Sequence, residues 1–266
     1  LLIDNLSSGS TTFDIKGLYI KTKDTIIRND IEQLYENLDD LPFPDRELLY
    51  QDSKYFQSNI AKSIFTARGC PYRCSYCHNG SLNEIFKNKG RVYRCRSPYN
   101  VIQEINEIKN RYKLPFILFG EDVFAGVQIE WIKEFTERFS GIKIPYNISI
   151  RSENVTTEIA RFLKKSGCYS ASLAIEHGNC EYRKKYLCRY MTNESLIESI
   201  RMLISEGIKV TTPTMFGFPF TSVEDDLDTL RLVCKANPTT AGATIFQPYP
   251  GLPLTEVCIN SGLLEK

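Results

Sequence analysis

No stretch of this 266-residue chain is apolar for long enough to span a bilayer, which argues against a helical membrane segment within it. Charge of one sign is equally missing. Lys and Arg number 33 against 32 Asp and Glu, a formal net charge of +1, so nothing global points to nucleic acid or a membrane surface. Histidine is scarce, with only His78 and His177. There is no second CxxC pair and no HxxxH pair, the arrangement from which zinc sites are usually built. The nine cysteines are an odd number, and no signal-peptide pattern opens the sequence, so a disulfide framework is not expected. A cytoplasmic, reducing and anaerobic setting is the corresponding expectation. The chain opens on Leu1 rather than Met and stops at Lys266 after Gly262-Leu263-Leu264-Glu265, which gives it the look of a segment from a longer protein.

What is present is concentrated in one run, Cys70-Pro71-Tyr72-Arg73-Cys74-Ser75-Tyr76-Cys77, with cysteines spaced by three residues and then two. Thiolates that close in sequence can converge on one metal centre. A closed structural site wants four protein ligands, whereas three leave a corner open for a small molecule. A zinc site with His78 as fourth ligand, or a metal-binding module that performs no chemistry, is the competing reading of the run alone.

Length and composition fit one sizeable α/β unit: 42% apolar and 24% charged residues are those of an ordinary globular chain. Residues 1–62 read as a small hairpin around Lys23-Asp24, then an extended connector through Pro42 and Pro44 into a short helix. From residue 63 strands and helices alternate. Strands are expected at Ser63–Thr66, Phe116–Phe119, Asn147–Ile150, Ser170–Ile175, Ile208–Phe216 and Ala243–Gln247. Ser97-Pro98 is a helix start, and Gly167 and Gly207 are helix ends. Thr221 and Glu224 read as a capping box before a helix whose buried stripe is Val223, Leu227, Leu230 and Cys234. Six such repeats imply a parallel sheet, open or partly closed into a barrel. The cysteines outside the run, Cys95, Cys168, Cys180, Cys188, Cys234 and Cys258, read as small buried apolar residues.

The cysteine run, with Phe65-Thr66-Ala67-Arg68-Gly69 leading into it, resembles the signature loop of the radical SAM superfamily. That resemblance covers roughly 63–266 and selects a partial (β/α)6 TIM-like barrel, in which chemistry gathers at the C-terminal strand ends. It implies that Cys70, Cys74 and Cys77 hold a [4Fe–4S] cluster whose open iron chelates S-adenosylmethionine (SAM). It also implies that Tyr76 lies near the SAM adenine and that Gly120, Glu121 and Asp122 face the SAM ammonium. Phe119 stands where the family's first glycine would be.

Ser149 and Arg151 follow the third strand, and the arginine's planar fork suits the SAM carboxylate. Glu176, in Ile175-Glu176-His177-Gly178, matches the family's ribose-binding glutamate, with His177 in place of the usual serine. Arg189 matches a basic residue before the next helix, and Gly217 lies in a turn near adenine. Leu41-Pro42-Phe43-Pro44-Asp45-Arg46 and Arg94-Cys95-Arg96-Ser97-Pro98 are similar to segments of the cobalamin-binding branch.

The resemblance therefore implies a radical SAM enzyme, with cobalamin bound by a domain outside this chain. The implied reaction is methyl transfer to an unactivated carbon of a small molecule or peptide, with a cyclase or oxidative rearrangement as the alternative. A flavodoxin- or ferredoxin-type protein would be the reductant. The run of Lys87, Lys89, Arg91, Arg94 and Arg96 reads as a solvated basic loop or as a docking patch.

Overall fold

The computed structural model describes residues 2–9, 14–51, 53–58, 61–124 and 128–265. Its centre is a six-stranded, wholly parallel sheet made of β3 (Ala61–Ile64), β6 (Phe116–Phe119), β7 (Tyr146–Ser149), β8 (Cys168–Ser172), β9 (Lys209–Phe216) and β10 (Thr240–Ile245). Neighbours pair strictly in chain order, each strand parallel to the next, in the partial barrel that the family resemblance implied. Helices α5 (Pro98–Arg111), α6 (Ile129–Phe139), α7 (Thr157–Lys165), α9 (Asn193–Ser205) and α10 (Val223–Ala236) connect successive strands.

Local chemistry sets the helix starts. The Ser97 hydroxyl accepts from the Asn100 amide with Pro98 in the first turn, and Thr156 and Thr192 cap α7 and α9 in the same way. Gly167 and Gly207 leave α7 and α9 at φ +96° and +76°, a backbone state that glycine adopts without strain. The core lies between sheet and helices. Phe119, Phe124, Trp131, Phe135, Phe139 and Tyr146 form an aromatic cluster there with ring centroids 4.9–6.1 Å apart along the chain of contacts. Phe119 is thus a core residue, which explains why the position favours a ring over the family's glycine.

Several expected boundaries shift. The first strand begins at Ala61 rather than Ser63, and Ala67–Arg68 (β4) leaves the sheet to pair antiparallel with Arg94–Cys95 (β5). The third, fourth and sixth strands start one to three residues early.

The capping box of α10 is one residue later than expected. Ser222 is extended and accepts from the Asp225 amide, while Asp225 accepts from the Ser222 amide at 2.8 Å; Thr221 instead donates back to the Phe218 carbonyl. The buried face of α10 is also different. Thr229, Leu232, Val233 and Ala236 point inward, whereas Val223 is 77% exposed, and Leu227, Leu230 and Cys234 are exposed as well. Contact with Gly178 fixes this rotation. A Cβ there would lie 2.6 Å from the Thr229 nitrogen, and the Gly178 amide donates to Thr229 Oγ1 at 2.8 Å.

The N-terminal part contains α1 (Leu2–Ser7), the hairpin β1 (Tyr19–Lys21) and β2 (Ile26–Arg28), α2 (Arg46–Tyr50) and α3 (Lys54–Ser58). It is joined to the core by charge. Arg46 of α2 and Arg96 both grip Glu104 on α5, at 2.7 and 2.5 Å, and Glu104 is 2% exposed. The basic run is likewise partnered from a distance. Lys89 pairs with Asp30, Arg91 with Glu36, and Arg94 donates to the Tyr35 carbonyl. It is a seam more than a free patch.

Of the six cysteines outside the run, Cys168 and Cys258 are buried and Cys95, Cys180 and Cys188 half-buried. Cys234 is exposed, a correction that follows from the rotation of α10.

Candidate active site

The cysteine run leaves β4 through Gly69, at φ +78°, where a Cβ would lie 2.3 Å from the Val92 carbonyl oxygen. Only glycine fits between β4 and the strand it pairs with. The loop then folds on itself. Asn83 of α4 (His78–Ile85) reaches back to the carbonyls of Cys70 and Tyr72, each at 3.4 Å, and the Cys77 amide donates to the Cys74 carbonyl at 3.1 Å. Ser75 anchors the loop from below. Its amide and hydroxyl both donate to carbonyls at the end of α8 (Cys180–Leu187), and its own carbonyl accepts from Leu254 of α11 (Pro253–Asn260).

Cys70 and Cys74 are 7% and 8% exposed and Cys77 is half-buried. Burial pushes the Cys70 thiol up to about 11, so its thiolate needs the compensating charge of a metal centre. Two thiols have donors beside them: Arg151 Nη1 lies 3.2 Å from Cys74 Sγ and Asn79 Nδ2 3.6 Å from Cys77 Sγ. Among the described residues, no three His, Cys, Asp or Glu side chains converge as a site for a single ion. A mononuclear zinc would draw its sulfurs to about 4 Å of one another, given Zn–S bonds of about 2.3 Å. In a cubane each cysteine binds a different iron, so three thiols that serve a cluster need not meet at a single ion.

A second group lies across the barrel mouth. Glu176 follows β8 at φ +67° and is held to β9 by bonds to Pro213 and Met215. Its Oε1 accepts from the Tyr76 hydroxyl at 2.8 Å and lies 3.8 Å from Arg189 Nη1. Arg189 also reaches the Tyr76 oxygen at 3.4 Å and the Ala174 carbonyl at 2.7 Å, and is 4% exposed. Burial opposes the guanidinium's charge, but Tyr76 and Glu176 outweigh it and hold Arg189 protonated. Its Nε is buried without a partner, a donor left over for a ligand carboxylate or hydroxyl. Phe218, just after Gly217, meets the Tyr76 ring edge-on at 6.2 Å. Tyr76, Glu176 and Arg189 therefore form one unit, with Gly217, at φ +68°, in the adjoining turn.

The remaining expected residues are spread around the mouth. Glu121 is buried, accepts from the Thr66 amide at 3.3 Å and from the Thr66 hydroxyl, and burial pushes its carboxyl up to about 7. Gly120 lies so close beneath Phe65 that a Cβ would come within 2.8 Å of the ring. Asp122 is exposed. Gly120, Glu121 and Asp122 line a cavity of about 440 Å³ with Leu41, Phe43, Phe65, Arg68 and Gly69, between the connector and the ends of β3 and β6.

Ser149 ends β7, half-buried. Arg151 is brought to Cys74, and its Nε and Nη2 edge faces Glu153 at 3.3 and 2.6 Å. His177 is fully buried: its Nδ1 accepts from the Asn179 amide, its ring packs on Tyr182 and Phe218, and burial lowers its pKa. Sequence reasoning missed Thr66, Tyr72, Glu153 and Phe218. For Tyr72 and Glu153 the available signal was proximity in sequence to Cys74 and Arg151.

A three-thiol loop at the first strand end, tied through its own Tyr76 to Glu176 and Arg189 in a parallel partial barrel, defines a class, and comparison with known proteins agrees. The family model of the Radical SAM superfamily matches residues 64–233, and the chain belongs to that superfamily. Its enzymes use a [4Fe–4S] cluster and SAM, and the open three-cysteine loop and the spare Arg189 donor fit both groups.

Among curated proteins the chain is similar to "Uncharacterized methyltransferase PH0819" of Pyrococcus horikoshii, 27% identical over 99% of this chain and 56% of that protein. It is also similar to the hopanoid C-3 methylase of Methylococcus capsulatus, 28% identical over 81% of this chain and 40% of that protein. Among solved structures, the radical SAM methyltransferase TsrM of Kitasatospora setae, with tryptophan substrate and a SAM analogue bound, superposes with a TM-score of 0.76. It shares 19% identity over 97% of this chain and 52% of that one, a likeness of fold. The chain spans about half the length of these relatives. Among the described residues no helix is long and apolar enough to cross a membrane.

Proposed function

We propose that this chain is the catalytic core of a cobalamin-dependent radical SAM methyltransferase that acts on a small molecule. Cys70, Cys74 and Cys77 hold the [4Fe–4S] cluster, and the Tyr76, Glu176 and Arg189 unit receives the adenosyl end of SAM. When bound, the cluster supplies the electron that breaks SAM and cobalamin carries the methyl group. The protein's own part is to orient and to exclude water. Glu176 accepts from the vicinal ribose hydroxyls, Arg189 turns its spare Nε–H to an acceptor on the ligand, and Tyr76 and Phe218 wall the purine.

One observation carries the cobalamin part. The two segments similar to the cobalamin-binding branch, residues 41–46 and 94–98, are joined through Arg46, Glu104 and Arg96. Together they wall the cavity that opens beside Gly69 and the cluster loop. Its apolar side, Leu41, Phe43 and Phe65, and its polar side, Arg68, Glu121 and Asp122, suit a ligand with an apolar body and polar substituents. The relative from Pyrococcus horikoshii, named a methyltransferase, aligns across this connector as well as the core.

The test uses the full-length protein, reconstituted without oxygen and given hydroxocobalamin, a reductant and methyl-labelled SAM. Label recovered in the corrinoid fraction supports the reading; label that leaves SAM only as methionine, in step with 5′-deoxyadenosine, contradicts methyl transfer and leaves radical chemistry standing.

A further inference from the structure

The guanidinium of Arg151 is engaged in three directions. Its Nε and Nη2 face the Glu153 carboxylate, its plane lies 3.7 Å from the centroid of the Tyr72 ring, and Nη1 points at Cys74 Sγ, 3.2 Å away. The Tyr72 hydroxyl in turn donates to Asn154 Oδ1 at 2.8 Å, which fixes the ring. Arg151 is 8% exposed, so the contact with sulfur is shielded from water. Two short segments, 72–74 and 151–154, interlock around one N–H···S bond. The edge of the fork that best grips a carboxylate is already taken by Glu153, which leaves SAM's carboxylate a poor competitor for it.

We propose that Arg151 is a positioning residue that sets the reduction potential of the cluster, through an N–H···S bond to Cys74 aimed by Tyr72 and Glu153. The proposal rests on the reading of Cys74 as a cluster ligand. The couple is one-electron: the oxidised cluster takes one electron from an external reductant and gains one unit of negative charge, shared between iron and sulfur. A donor directed at a ligand sulfur stabilises the more negative state and raises the potential. Glu153 neutralises the arginine's net charge, so the effect comes from the directed bond more than from bulk charge.

The test is an anaerobic potentiometric titration of the reconstituted protein, followed by electron paramagnetic resonance of the reduced cluster. Arg151→Gln is expected to shift the one-electron equilibrium about tenfold toward the oxidised state, ~59 mV lower in midpoint. Tyr72→Leu, which removes the platform but keeps the arginine, is expected to move it the same way by less. A proton coupled to the wild-type cluster in ordinary water, and lost from its spectrum in deuterium oxide, is expected to be absent from the Arg151→Gln spectrum in ordinary water.

A fully loaded Arg151→Gln protein with the wild-type midpoint overturns the proposal. If that variant fails to hold four irons, a loaded Tyr72→Leu protein with an unmoved midpoint overturns it instead. Failure of the wild type itself to take up a four-iron cluster would be a different result, and would remove the cluster reading beneath the proposal.

Discussion

The hydroxyl of Tyr76 donates to Oε1 of Glu176 over 2.8 Å, joining the residue before the third cysteine to one exactly a hundred positions later. The bond ties the cysteine loop to the carboxylate at the end of β8, with Arg189 bracing both. Tyr76→Phe keeps the ring and removes the donor, leaving a buried carboxylate one bond short, at a cost of about 1.5–3 kcal/mol. SAM affinity of the cluster-loaded protein is expected to weaken about tenfold or more. Equilibrium dialysis with labelled SAM measures it, and unchanged affinity would mean that the bond does not shape the SAM site.

The Arg46, Glu104 and Arg96 bridge joins the connector to the core. Glu104→Gln removes the one carboxylate between two guanidiniums and is expected to cost about 3 kcal/mol. Calorimetry would register this as a lower Tm. Exposed pairs such as Arg138 with Glu134 are expected to contribute under about 0.5 kcal/mol when broken.

Glu121 makes stability depend on pH with a defined sign. Its carboxyl is raised from 4.5 to about 7 by burial, so between those values the folded protein holds a proton that the unfolded chain has released. The contribution is whole below pH 4.5 and is lost as pH rises through 7, on the order of 3 kcal/mol. Denaturant titrations across that window are expected to show the fall for the wild type and a flatter profile for Glu121→Gln.

Gly69→Ala places a methyl on the Val92 carbonyl at a positive φ and is expected to displace the loop. Reconstituted iron should drop well below four per chain while the far-ultraviolet circular dichroism stays close to wild type. Gly141→Ala, where a Cβ meets open space, is the control and should load normally.

Much of this was legible in the chain. Strand and helix order, the cysteine loop, and the pairing of unusual residues with strand ends follow from periodicity and punctuation, which are local. What was not legible depended on distant partners. The basic run 87–96 has no acid within it, yet Lys89 and Arg91 find theirs in the N-terminal part, Glu36 lying 55 residues from Arg91, and Arg96 finds Glu104 on α5. Helix α10 has two apolar stripes, and only close contact between Gly178 and Thr229 selects the buried one. Arg151 reads as a fork for a carboxylate, but Glu153 and Tyr72 turn it toward sulfur.

The central claim is that Cys70, Cys74 and Cys77 support reductive cleavage of SAM. Its most direct measurement is 5′-deoxyadenosine formed when the anaerobically reconstituted protein receives SAM and dithionite, beside Cys74→Ala treated identically. The account predicts product from the wild type and none above background from the variant. A wild-type protein that carries a full cluster, binds SAM and yields no 5′-deoxyadenosine, or a variant that yields as much as the wild type, would contradict it.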